Sequence, residues 1–152
     1  IDGVNTPTSA ANSVLISIDG TGNLDSGVIT NVVGRSITDT GIKIDNTSTG
    51  IAKGISIGAH AIDSVNNGVL VGGTGDPHEN ISILGGSGRS ANNNYQLEVF
   101  GFAGSSLVSS GGVTGFRLLP GSDKVQLFGT SNGDTTPLVD TSGGTDITTQ
   151  IR

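Results

Sequence analysis

Two short stretches decide the fold: Gly41-Ile42-Lys43-Ile44-Asp45 and Gly54-Ile55-Ser56-Ile57-Gly58. Each alternates apolar with polar residues, which is the period of two that a β-strand shows when one of its faces is buried. Gly or Asp bounds both stretches, and these residue types favour turns. The second stretch begins 13 residues after the first, so one strand and one turn make up the repeating unit.

The same unit recurs in both directions from this pair. Its first apolar positions lie 12 to 14 residues apart and are Ile16, Ile29, Ile42, Ile55, Val69 and Ile81. Repeats of this kind form stacks in which neighbouring units share one core. The pattern over residues 16–83 therefore predicts an all-β repeat protein.

Three architectures fit a 13-residue step. In a parallel β-helix, one step is a strand with its turn, and two steps make one coil. In a trimeric interleaved β-prism, three chains each contribute one face to a shared core. The third is an antiparallel sandwich with hairpins at this spacing. We favour the first two, because aromatic residues are only 3 % of the chain and aliphatic ladders must supply the core.

The composition agrees with this fold class. Glycine accounts for 26 of the 152 residues, and charged residues for only 13 %. Average proteins contain about 7 % Gly, and disordered chains combine high charge with few β-branched residues. The chain has no cysteine, so disulfides and thiolate metal sites are excluded. It begins at Ile1 and has no Met, which predicts a segment excised from a longer protein.

The net charge of −6, with seven basic residues spread along the chain, argues against a nucleic-acid partner, which needs clustered Lys and Arg. No run of about 18 apolar residues is present, so we predict no membrane insertion. We also predict no cofactor and no metal. The spacing from Asp19 to Asp25 resembles a calcium loop, but Thr30 stands where the bidentate Glu is required.

The pattern changes after residue 85. A stronger alternating strand, Gln96-Leu97-Glu98-Val99-Phe100-Gly101-Phe102, follows a polar loop. Further on, Pro120-Gly121 separates two strand-like runs, 115–119 and 124–129, and Pro followed by Gly suits the centre of a tight turn. These runs predict a β-hairpin in a small antiparallel β cap. The predicted division is a repeat region at 1–90 and a cap with its tail at 91–152.

The repeated rungs and the closing runs Phe116-Arg117-Leu118-Leu119 and Lys124-Val125-Gln126-Leu127-Phe128-Gly129, followed by Pro137, resemble the distal part of bacteriophage tail spikes and tail fibres. This resemblance implies a homotrimer in the tail of an extracellular virion. It also implies a structural and receptor-binding role, with attachment to host cell-surface polysaccharide. Many members of the family end on a further apolar segment, whereas residues 141–152 here are polar.

Two other functions stay open. One is a fragment of a polysaccharide depolymerase, either a glycoside hydrolase or a lyase, with a site between subunits. The other is the passenger segment of a bacterial adhesin. Glycoside hydrolysis needs two carboxyl groups at a defined separation, and the chain has only two Glu residues, Glu79 and Glu98. We therefore predict no catalytic residue for this chain alone.

The densest polar cluster is Asp76-Pro77-His78-Glu79-Asn80, directly before a strand. A sugar-contacting loop is one interpretation of it, and a capped turn is the other. Tyr95 is the only tyrosine, and its ring suits either a sugar face or the core. The predicted glycan-binding residues are Asp76, His78, Glu79 and Tyr95.

Overall fold

The computed structural model describes residues 1–6 and 10–152. Every regular element within them is a β-strand, which confirms the all-β prediction. The strands are β1 (Asn5–Thr6), β2 (Asn12–Ile18), β3 (Leu24–Ile29), β4 (Val32–Ile37), β5 (Thr40–Asn46), β6 (Ala52–Ile57), β7 (His60–Ser64), β8 (Asn67–Val71), β9 (His78–Ser90), β10 (Asn93–Leu97), β11 (Val99–Ser110), β12 (Thr114–Leu118), β13 (Asp123–Asn132), β14 (Thr136–Asp140) and β15 (Ile147–Ile151).

The strands wind into a parallel β-helix of about six coils with three faces. Face 1 is a six-stranded sheet in the order β14-β12-β10-β8-β5-β2. A bent nine-stranded sheet forms the other two faces. Face 2 contains β3, β6, the first halves of β9, β11 and β13, and β15. Face 3 contains β1, β4, β7 and the second halves of β9, β11 and β13.

The 13-residue step is half a coil, as the β-helix alternative predicted. On face 1, Val14 lies level with Ile42, Ile42 with Val69, and Val69 with Tyr95, at separations of 28, 27 and 26 residues. Tyr95 then lies level with Phe116, only 21 residues further on. The repeat therefore continues beyond residue 85 with a shorter coil, which is why the 13-residue pattern is lost in the sequence.

Inward-pointing side chains form continuous columns along the helix axis. One column on face 1 consists of Val14, Ile42, Val69, Tyr95 and Phe116, all buried. A column on face 2 includes Ile29, Ile57 and Ile83. Each fully buried aliphatic side chain contributes about 1.5–3 kcal/mol, so these columns are the main source of stability.

The predicted antiparallel cap is not confirmed. The runs at 115–119 and 124–129 fall in β12 and β13, which lie in different sheets and do not pair with each other. Each of them pairs in parallel with strands of the coils before and after it. The Pro120-Gly121 turn carries the chain from face 1 to face 2 instead of reversing it within one sheet.

At one level of face 2, a residue with a left-handed backbone conformation recurs in five successive coils. Its φ lies between +52° and +76°, and the positions are Ser26, Gly54, Asn80, Gly101 and Lys124. It acts as a bulge, because the buried residues on either side of it, such as Ala52 and Ile55, are three positions apart rather than two. The glycine that precedes Ile55 in the sequence repeat occupies this position.

We expect Gly101→Ala to lower the free energy of unfolding by about 1–2 kcal/mol, the cost of a left-handed conformation in a residue with a Cβ. At Gly101 φ is +76°, and an added Cβ would lie 2.7 Å from Oδ1 of Asn80. Gly22→Ala is the matched control: nothing lies within 4 Å of its Cβ position. Urea unfolding measures the free energy of unfolding of both variants. An equal loss of stability in both would show that the backbone at Gly101 is not a strained position.

Candidate functional site

Two of the predicted glycan-binding residues are part of the core. His78 and Tyr95 are fully buried. Nδ1 of His78 accepts a hydrogen bond from the Ala52 backbone N–H at 3.0 Å, which joins two coils. The prediction is corrected for these two residues, because neither side chain has a surface that a sugar can reach.

Tyr95 belongs to an internal aromatic stack. Its ring lies parallel to that of Phe116, with centroids 5.1 Å apart, and it meets the His60 ring edge-on. The Tyr95 hydroxyl is 3.0 Å from Nε2 of His60, while Nδ1 of His60 is 2.8 Å from the Gly58 carbonyl. Burial raises the pKa of Tyr95, so its hydroxyl stays protonated in the core.

Asp76 and Glu79 lie nearer the surface, one in the turn before β9 and the other in β9 itself. Asp76 is an exposed residue of the turn before β9, and its carbonyl accepts a hydrogen bond from the buried side chain of Asn46. Glu79 is half-buried on face 2, where its carboxylate is 3.2 Å from Nζ of Lys53. Their assignment as glycan-binding residues stays a prediction.

A concave surface with a mainly polar lining lies elsewhere, on the outside of face 1. It is a groove of about 490 Å³, in the size range of ligand pockets, and we call it the amide groove. Its lining residues come from four successive coils and include Asp39, Thr40, Lys43, Asn66, Asn67, Leu70, Asn92, Asn93, Gln96, Val113, Thr114 and Arg117. The regular strands of face 1 position these groups on a rigid surface.

Side-chain amides run up one side of the amide groove as ladders. Nδ2 of Asn66 donates to Oδ1 of Asp39 at 2.6 Å, and Nδ2 of Asn92 donates to Oδ1 of Asn66 at 3.2 Å. Nδ2 of Asn93 donates both to Oδ1 of Asn67 at 3.2 Å and to Oε1 of Gln96 at 3.0 Å. An amide has two N–H donors and an oxygen with two lone pairs, so the ladder uses only part of this capacity.

A column of outward residues forms the floor of the amide groove. Lys43 lies level with Leu70, Leu70 with Gln96, and Gln96 with Arg117. The Lys43 ammonium is 2.8 Å from the Asp45 carboxylate, so its charge is neutralised within the same strand. Arg117 takes part in neither of the two ion pairs found among the described residues, and its Nε is buried without a hydrogen-bond partner there.

Two carboxyl groups lie beside the amide groove in the next outward column. Asp45 and Glu98 lie in the coils on either side of Gly72: the Gly72 N–H donates to the Ile44 carbonyl at 3.0 Å, and the Glu98 N–H donates to the Val71 carbonyl at 2.7 Å. Coils are spaced by about 4.8 Å, so their backbones are about 10 Å apart. Burial raises the pKa of Glu98, and the Gly73 backbone N–H opposes this more weakly.

Asp134 shows how the turn carboxylates are used for structure. It accepts hydrogen bonds from the side chains of Asn94, Ser109 and Ser131 and from the Gly112 backbone N–H. These donors lie in or next to three successive turns at one corner of the helix, so a single carboxylate joins three coils. Asp134 is thus a structural residue of the turn between β13 and β14.

Sequence reasoning missed the amide groove although a signal for it exists. Asn66-Asn67 and Asn92-Asn93 are 26 residues apart, which is one coil, and Asp39-Thr40 is 27 residues before the first pair. Taken one at a time, such residues are typical of turns. Only the coil length shows that they stack.

Comparisons with family models, curated proteins and solved structures found no match. Within residues 1–6 and 10–152, no helix is long and apolar enough to cross a membrane. The same described residues contain no group of three or more His, Cys, Asp or Glu side chains placed to hold a metal ion.

We expect the protein to lose stability as the pH falls below about 6.5. Burial lowers the pKa of both His60 and His78 in the folded state; the Gly58 carbonyl opposes this at His60, and the Ile44 carbonyl and the Asp45 charge oppose it at His78. The unfolded chain therefore takes up protons first, from its ordinary histidine pKa downward. Each histidine contributes at most about 1.4 kcal/mol per pH unit.

The measurement is the free energy of unfolding in urea between pH 7 and pH 5, for the wild type and for the double variant H60N/H78N. Asparagine keeps one hydrogen-bonding group near each Nδ1 position but does not titrate. We expect the double variant to show a shallower slope over this range. Parallel pH curves for the two proteins would show that the buried histidines are not the cause.

Proposed function

We propose that this chain is a structural and receptor-binding module of a phage tail spike or tail fibre, and that it binds host surface glycan in the amide groove. The observation that carries the proposal is the stacked amide ladder beside the half-buried column of Leu70, Gln96 and Arg117. Sugar hydroxyls need paired donors and acceptors, and amides offer both. The exposed side chain of Val113 adds an apolar surface for a sugar ring.

The fold supports this proposal in a second way. Stacked coils repeat each outward position at about 4.8 Å along the axis, so the amide groove presents a side chain at the same position of each successive coil, and neighbouring coils present amides at two of these positions. The groups lie on strands or in the short turns directly before them, so binding requires little additional ordering of the chain. The resemblance of the sequence to tail spikes and tail fibres implies that the module belongs to the tail of an extracellular virion.

We also propose that the module is a homotrimer, with subunits meeting through face 2. Phe102 and Phe116 are buried, but Phe100 and Phe128 point outward and are 41 % and 39 % exposed. Nζ of Lys124 lies 4.9 Å from the centre of the Phe100 ring. Exposed aromatic residues of this kind are enriched at the centres of protein interfaces.

Glycan cleavage is the second candidate function, and the pair of Asp45 and Glu98 favours it. Inverting glycosidases have carboxyl groups about 6.5–9.5 Å apart, a separation that side chains on backbones about 10 Å apart can reach. The raised pKa of Glu98 suits a general acid, while Lys43 keeps Asp45 in contact with a positive charge. The amide groove would then bind the polymer next to the cleaved bond.

We expect the double variant N93A/Q96A to bind bacterial surface glycans at least tenfold more weakly than the wild type, because it removes two amides from the centre of the amide groove. Binding is measured first on a glycan array and then by calorimetry with the best ligand. The control Q126A/N132A removes the same residue types from β13, outside the groove. Wild type that binds no glycan, or equal affinities for all three proteins, would contradict the proposal.

The same ligand also tests for cleavage. Release of reducing ends by the wild type, and its loss in Glu98→Gln with binding retained, would establish the depolymerase function. Gln126→Ala is the control for this assay, because it changes an exposed residue on another face.

Light scattering tests the trimer. We expect a mass three times the 15.1 kDa of one chain, and a shift toward the monomer in the double variant F100S/F128S. Val65→Ser, at a side chain that is 50 % exposed on another part of the surface, is expected to leave the mass unchanged. A monomeric wild type would contradict a shared interface.

A further inference from the structure

The charges in the amide groove are distributed unevenly along its length. At one end, Asp39 accepts hydrogen bonds from Asn66 and from Thr40, and Lys43 is paired with Asp45. At the other end, Arg117 is three coils away, about 14 Å by the usual strand spacing. Neither ion pair of the described residues includes Arg117. Within the described residues, the groove thus has an unpaired carboxylate, Asp39, at one end and an unpaired guanidinium, Arg117, at the other.

The surroundings of Arg117 fix its position without neutralising it. The residues on either side of it, Phe116 and Leu118, point inward and are fully buried, so Arg117 faces the groove. Its column neighbours are Gln96 and Val139, which carry no charge. Its Nε is buried and has no acceptor among the described residues. A buried N–H without an acceptor costs free energy, so an acceptor brought by a bound ligand would stabilise the guanidinium there.

We propose that Arg117 is the specificity-determining residue of the amide groove and selects a glycan that carries a carboxylate, such as a uronic acid. This inference rests on the proposed glycan-binding function and adds the chemical class of the ligand. The planar guanidinium offers several N–H donors in a fork that matches a carboxylate. The amides of Asn93 and Gln96 lie next to it for the hydroxyls of the same or the adjacent sugar.

The net charge of the chain does not prevent this selection. It is −6 overall, which repels an anionic polymer at long range. The screening length at physiological salt is about 8 Å, so charges on the other faces contribute little inside the groove. A carboxylate bound at Arg117 therefore experiences mainly the charge of Arg117, opposed by Glu98 in the adjacent outward column.

The test compares two probes by calorimetry: a galacturonic acid hexamer and the same hexamer with every carboxyl group methyl-esterified. We expect the wild type to bind the acid at least tenfold more tightly than the ester. Arg117→Met keeps most of the side-chain volume without the charge and is expected to bind both probes equally. Arg117→Lys keeps the charge without the fork and is expected to retain only part of the preference.

Arg35→Met is the matched control, because it removes the same charge from an exposed position on face 3, and it should keep the wild-type preference. Circular dichroism establishes that each variant retains its β-structure. Equal binding of both probes by the wild type, or an unchanged preference in Arg117→Met, would overturn the role of Arg117 but leave glycan binding intact. Failure of the wild type to bind either probe or any arrayed glycan would overturn both proposals.

Discussion

The parallel stacking of coils, each with its inward side chains directly above those of the last, is the constraint on which the rest of the structure depends. With 3 % aromatic residues, the chain cannot build a broad core. It instead buries narrow columns such as Ile29, Ile57 and Ile83. Strand spacing is constant at about 4.8 Å. An inward side chain in one coil therefore packs directly against the side chain at the matching position of the next coil, and this keeps the register from coil to coil along the axis.

That constraint also determines the outer surface. Outward positions are stacked as strictly as inward ones, so the amide ladders and the column that ends at Arg117 follow from the same register. Polar residues that would be isolated turn residues in another fold become a continuous lining. The proposed glycan binding and the proposed selection of a carboxylate at Arg117 both depend on this alignment.

Prediction succeeded where the period was regular and failed where it changed. The alternation around Ile42 and Ile55 was enough to identify half-buried strands and the half-coil step. Beyond residue 85 the coil shortens from 26–28 to 21–22 residues on face 1, and the same core was interpreted as an antiparallel cap. A Pro-Gly turn looks the same whether it reverses a hairpin or joins two faces, because local preference does not specify which strand pairs with which.

By itself, the sequence determined the all-β class, the strand-and-turn unit and the dependence on aliphatic ladders, because these follow from local periodicity and composition. Only the tertiary structure decided which polar residues are accessible. His78 and Tyr95 occupy inward positions and become core, whereas Asn93 and Arg117 occupy outward positions and line the amide groove. Side-chain orientation depends on the position of each bulge and on the register between coils. Both are properties of pairing between residues more than twenty positions apart.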